Sequence, residues 1–378
     1  DSLRPATKPD PVFPKDSLLG AVGKVMDELK PFTSGGTDST LMHRALWIQD
    51  QLVAFNRRIR IFSGETASFD EESKDLFGVI APTYDEAHYQ ALLSQLQTIL
   101  PGDGNIGERF QALANHFIIP KEKLDTVFNA AIAECRKRTR AHYDLPADEN
   151  FKLEFVSNKP WNGYNWYKGH HQSVIQINTD INIFIDRAID VGSHESYPGH
   201  HVYNMLLEKN LYEGQGLAEI SIYPLFSPQS LIAEGSANYG IDVVFPGNDK
   251  VEFAKTVLLP LAGLDTMGIT SYFSALAIKG KLNYARNEAA RQLLSGKMTD
   301  DQAKQWLQTY CLFNQETAAK SVAFIKANRS YVINYNYGMD LVGKWVEKKM
   351  NGATDQETKW KVFGELLSNE VRIAEMSP

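Results

Sequence analysis

Cysteine is nearly absent: Cys135 and Cys311 are the only two in 378 residues. Two thiols cannot build a zinc ribbon or a disulfide framework, and one bridge between them cannot be read from sequence. No apolar run reaches the ~18 residues of a membrane-spanning helix, so no transmembrane segment is expected. No basic stripe stands out from the mixed charges, and the formal net charge is −7. Nucleic acid is therefore not expected as a partner. No internal period indicates a solenoid. The stretch beginning at Asp1 has no charged start followed by an apolar segment, so no signal peptide is expected in it. A removed leader and a trimmed end would look alike, which leaves the compartment and the oligomeric state open.

What is present is ordinary in amount, 43% hydrophobic and 22% charged, and patterned for helix. Pro5, Pro9, Pro11 and Pro14 make residues 1–15 an expected extended arm. Leu41, Ala45, Ile48, Leu52, Phe55 and Ile59 then recur at spacings of four and three, one face of a long helix. Tyr89, Leu92, Leu93, Leu96 and Ile99 repeat the pattern up to Pro101-Gly102. A third helix starts at Leu124, Val127, Phe128 and Ala131 and is expected to reach about residue 143. Between 150 and 182 the period changes to two, in Lys152–Val156 and again in Ser173–Asn178, around the aromatic turn-rich run Trp161–Tyr167. This predicts a small antiparallel sheet. Helical patterns resume over 228–245, 251–285, 299–316 and 331–349. The expected fold is mainly α: one mostly helical unit over 16–378 with the small sheet beside the motif described next. A sub-boundary near 150 is conceivable, but no linker marks it.

Five of the nine histidines, His170, His171, His194, His200 and His201, fall within 32 positions. The densest run is His194-Glu195-Ser196-Tyr197-Pro198-Gly199-His200-His201. Neutral imidazole is the commonest zinc ligand. In the HExxH zinc helix two His at i and i+4 share a face, and Glu beside the first is the general base. Here the second His comes at i+6 or i+7. On a straight helix i+6 is turned roughly 120° away, and i+7 lies about 10 Å along the axis. Neither can share one ion on a regular helix. Pro198-Gly199 offers a break that could return His200 toward His194. His194 and His200 are thus the expected ligands, with His201 as fallback. A third is expected from Glu234, a carboxylate among small and apolar neighbours that needs a partner. Glu195 would take the proton from the activated water. His170 and His171 follow Gly169 in a loop and read better as hydrogen-bonded than as ligands. A lone His-Glu pair or His-His pair would carry none of this.

The run HESYPGHH resembles the HExxPGHH motif of the bacterial family called domain of unknown function 885, whose members look like gluzincin-type metallopeptidases. Glu234-Gly235-Ser236-Ala237-Asn238-Tyr239 is similar to the family's EGWAxY stretch, with Ser236 in place of Trp. Tyr335 followed by Gly338 resembles its C-terminal Tyr-x-x-Gly. The resemblance spans roughly residues 150–345. Arg329-Ser330 replaces a Pro-Gly pair that often precedes the tyrosine, and the Asp-x-Gly-x-His stretch is not recognisable. The resemblance implies a gluzincin-like fold, zinc as cofactor and an extracytoplasmic, often lipoprotein, setting in the periplasm or cell envelope. It also lifts Tyr335 as the hydroxyl that would steady an oxyanion.

Arg329 and Tyr337 in the same cluster are further expected substrate contacts, Arg329 through a carboxylate. The Ser173–Asn178 strand could add an extended peptide, with Asn178 among its contacts. The expected activity is zinc-dependent hydrolysis, foremost of peptide bonds, with a peptide or small amide as partner. A zinc hydrolase of another amide or an ester would use the same machinery. A non-catalytic binder would have no need of Glu195.

Overall fold

The computed structural model describes residues 13–33, 38–159 and 161–376. The expected arm at 1–15 lies almost wholly outside them; helix begins at Lys15. The chain is mainly helical, with one small three-stranded sheet. The first long helix is Ser39–Phe62, started by the Asp38 carboxylate, which accepts from Thr40 N and Leu41 N. Asp85 caps Glu86–Ile99 in the same way, and that helix stops at Leu100 before Pro101. It buries Tyr89, Leu92, Leu93 and Leu96, the stripe the spacing predicts. The third helix runs Leu124–Arg140, three residues short of the expected end.

The sheet is mixed rather than antiparallel. Its strands are β1 (Asn150–Val156), β2 (Gly163–Tyr167) and β3 (Gln172–Asn178). Their order is β1-β3-β2: β2 is antiparallel to β3, and β1 is parallel to it. Period-two alternation reveals a strand and says nothing of its neighbours, so it does not distinguish mixed from antiparallel pairing. The aromatic run expected as a loop is largely β2. The turn into β3 holds Gly169, His170 and His171 at positive φ, with the Glu208 carboxylate accepting from the backbone N–H of both histidines.

Downstream, Pro228–Val244 forms as expected. The 251–285 pattern is instead several pieces: Asp249–Phe253, a π-helical turn at Ala254–Leu258, Leu259–Ala262 closed by Gly263, then Ile269–Leu282. The 299–316 pattern likewise ends at Tyr310, and a new helix begins at Gln315 under the Asn314 cap. Ile333–Met350 follows the 3-10 turn Arg329–Val332. Buried apolar residues from both sides of residue 150 join one core. Cys135 and Cys311 are both buried and unbridged. Among the described residues no helix is long and apolar enough to cross a membrane.

Candidate metal centre

The chain reaches the motif through helix Ile185–Val191, which widens into a π-helical turn over Gly192–Ser196. Such one-turn widenings often mark functional sites. The helix then ends. Tyr197 is extended, the Tyr197–Pro198 peptide is cis, and helix resumes at His200–Leu207. Gly199 makes the turn possible because no side chain fits there. A Cβ there would stand 1.9 Å from the His194 carbonyl oxygen and 2.4 Å from that of Ser193. Gly199 N instead donates to the Ser193 carbonyl at 3.0 Å. Pro198 lies just before Gly199, the N-cap of the resumed helix.

The break folds His200 back against His194, with ring centres 4.7 Å apart and planes at 87°. Helix Pro228–Val244 brings Glu234 to the same point. Its Oε2 is 3.4 Å from His194 Nε2 and 3.8 Å from His200 Nε2. The three ligand atoms all lie within 4.8 Å of one another. Glu234 Oε2 is buried and has no hydrogen-bond partner, while Oε1 accepts from the Tyr331 hydroxyl at 2.9 Å. A buried orphan carboxylate oxygen facing two imidazole nitrogens is a cradle for a cation.

The surroundings orient these ligands. His194 Nδ1 is 2.9 Å from Asn238 Oδ1, and Asn238 Nδ2 donates to the Tyr335 carbonyl at 2.8 Å. With the amide fixed that way, Oδ1 can only accept, so Nδ1 of His194 keeps a proton and Nε2 is the nitrogen that faces inward and would ligate once its own proton is displaced. Burial opposes charge on His194, but Glu234 and Glu195 outweigh it and hold the imidazole up at about 9. Burial likewise pushes the Glu234 carboxyl up, and the two histidines more than reverse this, keeping it well below the usual carboxylate range. The pocket thus collects negative potential where a cation would sit.

Glu195 is 7% exposed beside this group, and its carbonyl accepts from Asn165 Nδ2 on β2. A Cβ at Gly163, also on β2, would lie 3.3 Å from Glu195 Oε1. Tyr335 lies near both Glu234 and Glu195. Burial first, then those two carboxylates, push its hydroxyl well above the usual tyrosine range, so it stays a donor. It gets there because two helices nearly touch. A Cβ on Gly235 would meet the Gly338 carbonyl carbon and oxygen at 2.4 Å. Only a glycine pair lets Ile333–Met350 cross Pro228–Val244 that closely.

Four expected contacts fall elsewhere. His201 is fully buried and committed at both nitrogens: Nδ1 meets Ser173 Oγ at 2.8 Å and Nε2 meets Glu149 Oε2 at 3.1 Å. It is no ligand. Arg329 Nε donates to the buried Glu72 carboxylate at 2.6 Å, so its charge is already matched inside the protein. Tyr337 sits two positions from Tyr335, on another side of the helix, where burial and then Asp340 and Tyr84 raise its hydroxyl. Asn178 spends its amide on the Lys159 carbonyl and Asp180 N. Its strand, β3, is central and paired on both edges, so it cannot accept an added peptide.

Sequence reading passed over Asn238 and Tyr331 as working residues. Both had a signal. Asn238 is four residues after Glu234, and Tyr331 four before Tyr335, so each shares a helical face with a chosen residue.

No family model matches the chain, and no curated protein matches it. Two solved structures share the fold. One, from Colwellia psychrerythraea, is provisionally named a lipoprotein: 14% identity, TM-score 0.58, covering 94% of this chain and 65% of that one. The other, from Shewanella oneidensis, is provisionally named a lipoprotein of unknown function: 11% identity, TM-score 0.51, covering 94% of this chain and 73% of that one. The chain therefore spans about two thirds to three quarters of these relatives in fold.

Proposed function

We propose that the chain is a zinc-dependent hydrolase acting on peptide bonds, in an extracytoplasmic setting. The observation that carries this is the orphan Glu234 Oε2 facing His194 and His200, with Glu195 adjacent. Two imidazoles and one carboxylate are the ligand set of a catalytic rather than a structural zinc. Zinc, when bound, supplies a Lewis acid that acidifies a water and polarises a carbonyl.

The chain's own residues do the rest. Glu195 accepts a proton from the attacking water as the water oxygen bonds to the carbonyl carbon. The carbonyl electron pair moves onto oxygen, where the Tyr335 hydroxyl donates a hydrogen bond. When the pair returns, the carbon–nitrogen bond breaks and Glu195 delivers its proton to the leaving nitrogen. Asn238 keeps His194 in the ligating tautomer, and Tyr331 holds the Glu234 carboxylate in place. The envelope setting is supported by the family resemblance and by the names of the two proteins that share the fold.

The test is metal analysis of the purified protein together with a peptide-library digest. One zinc per chain, lost on His200→Ala, and cleavage abolished by Glu195→Gln support the reading. A metal bound away from Glu234, or cleavage of esters and no peptide, would sink it.

A further inference from the structure

Arg286 lies on helix Tyr284–Leu294, which packs on the turn that carries Tyr331. Its Nε donates to Ser321 Oγ at 3.0 Å, and its guanidinium carbon is 4.7 Å from the centre of the Phe324 ring. Among the described residues it has no carboxylate partner. Burial lowers its affinity for a proton, and the groups that oppose this are Tyr335 and Cys311. Both of those are themselves held in their neutral forms, mainly by burial.

Several other partly buried arginines have a carboxylate, while Arg58 lies over the Phe62 and Phe226 rings and Arg109 donates to the Leu100 and Gly102 carbonyls. Arg291, on the same helix, pairs with Asp70 and Glu288; Arg329 pairs with Glu72; Arg136 and Arg140 share Glu149. A half-buried cation with no counter-charge costs free energy unless the anion arrives from outside. Its place suggests where from. Phe324 lies 6.5 Å from the Tyr335 ring, Tyr335 lies 5.8 Å from Tyr331, and Tyr331 holds Glu234. Arg286 acts on Tyr335 as Glu234 and Glu195 do, but with opposite sign.

We infer that Arg286 anchors a carboxylate of the substrate, fixing the cleaved bond at a set distance from an anionic end. This rests on the hydrolase reading above and replaces Arg329 in the role the sequence suggested for it. A guanidinium fork binds carboxylate in two parallel hydrogen bonds, and either a C-terminal carboxylate or an acidic side chain supplies that shape.

The test is equilibrium binding to the zinc-loaded protein. The probes are the half-hydroxamates of succinic, glutaric and adipic acids, each compared with its terminal amide. At one chain length the acid should bind roughly 10–100-fold more tightly than the amide. Arg286→Met should erase that preference and leave the amide's affinity unchanged. Arg286→Lys, which keeps the charge and loses the fork, should retain part of it and serves if the Met variant does not fold. Acid and amide binding alike at every length overturn the anchor and leave the metal reading standing. Neither form binding overturns both. Blocked peptides ending in acid or amide, and containing Glu or Gln, then show which carboxylate is read: only the matching pair should lose discrimination in Arg286→Met.

Discussion

His200 and His201 are neighbours in sequence and open opposite fates. His200 turns into a cluster with one buried oxygen left unpartnered, Glu234 Oε2. His201 turns into a cluster in which the buried carboxylate and both ring nitrogens are partnered. There Glu149 is 2% exposed and accepts from Arg136, Arg140, the Tyr197 hydroxyl and His201. Ser173, His201 and Glu149 even form a chain like a hydrolase triad, but Ser173 is 3% exposed and sealed from any substrate. The lesson is that a polar cluster is read by what it leaves unsatisfied. A completed network holds the fold; a buried carboxylate oxygen with no hydrogen bond, set between two imidazoles, fits a cation.

The largest expected break in this comparison is on the open side. Glu195→Gln should keep the metal and reduce turnover roughly 10²–10⁴-fold, as loss of a general base does. A variant within a few-fold of the parent would remove Glu195 from that role. Next, Tyr335→Phe should lower kcat roughly 10²-fold with little change in KM, because the role proposed for the hydroxyl is on the developing oxyanion. Tyr337→Phe, on the other side of the helix, should leave both constants near the parent values. Damage from Tyr337 alone would move the role there.

The two histidines should then separate cleanly. His201→Ala should destabilise the fold by about 2–4 kcal/mol, with or without metal, through a cavity and lost hydrogen bonds. His200→Ala should abolish tight zinc binding and leave melting in chelator close to that of the parent. Equal melting losses in chelator would erase the distinction between the clusters. Acid sharpens the same contrast. Burial tends to raise the Glu149 carboxyl, but His201, Tyr197, Arg140 and Arg136 lower it from an ordinary 4.5 to about 2. A depressed carboxyl stabilises the fold above its unfolded value, and that contribution is lost as pH falls from about 4.5 toward about 2. Glu149→Gln should flatten that part of the stability curve in chelator. The smallest effect is expected from Asn238→Ala: zinc affinity should fall roughly 10–100-fold with every ligand still present.

Much of the local structure was legible. The stripe at Tyr89–Ile99 needed only its spacing, since one face had to be buried. The need for a break between His194 and His200 followed from helix geometry. What was not legible involved partners far along the chain. Arg329 looked free because its counter-charge, Glu72, lies 257 positions away. Asn178 looked available because β3 was not known to be the central strand. Arg286 carried no motif; what marks it is having no carboxylate partner among the described residues while lying against Phe324 near Tyr335, which appears only once the other side chains are in place.

By itself, then, the sequence determined which stretches are helical but not where 251–285 and 299–316 break, the strand segments, and a turn at Pro198-Gly199 that no regular helix could replace. These depend on periodicity and on the backbone freedom of single residues. Tertiary structure decided which of two adjacent histidines faces the Glu234 carboxylate and which is sealed against Glu149. It also decided that Gly235 meets Gly338, bringing Tyr335 and Tyr331 to Glu234. The reason is physical: ligation, charge matching and desolvation depend on distances of a few ångströms between residues tens to hundreds of positions apart, and spacing along the chain does not contain those distances.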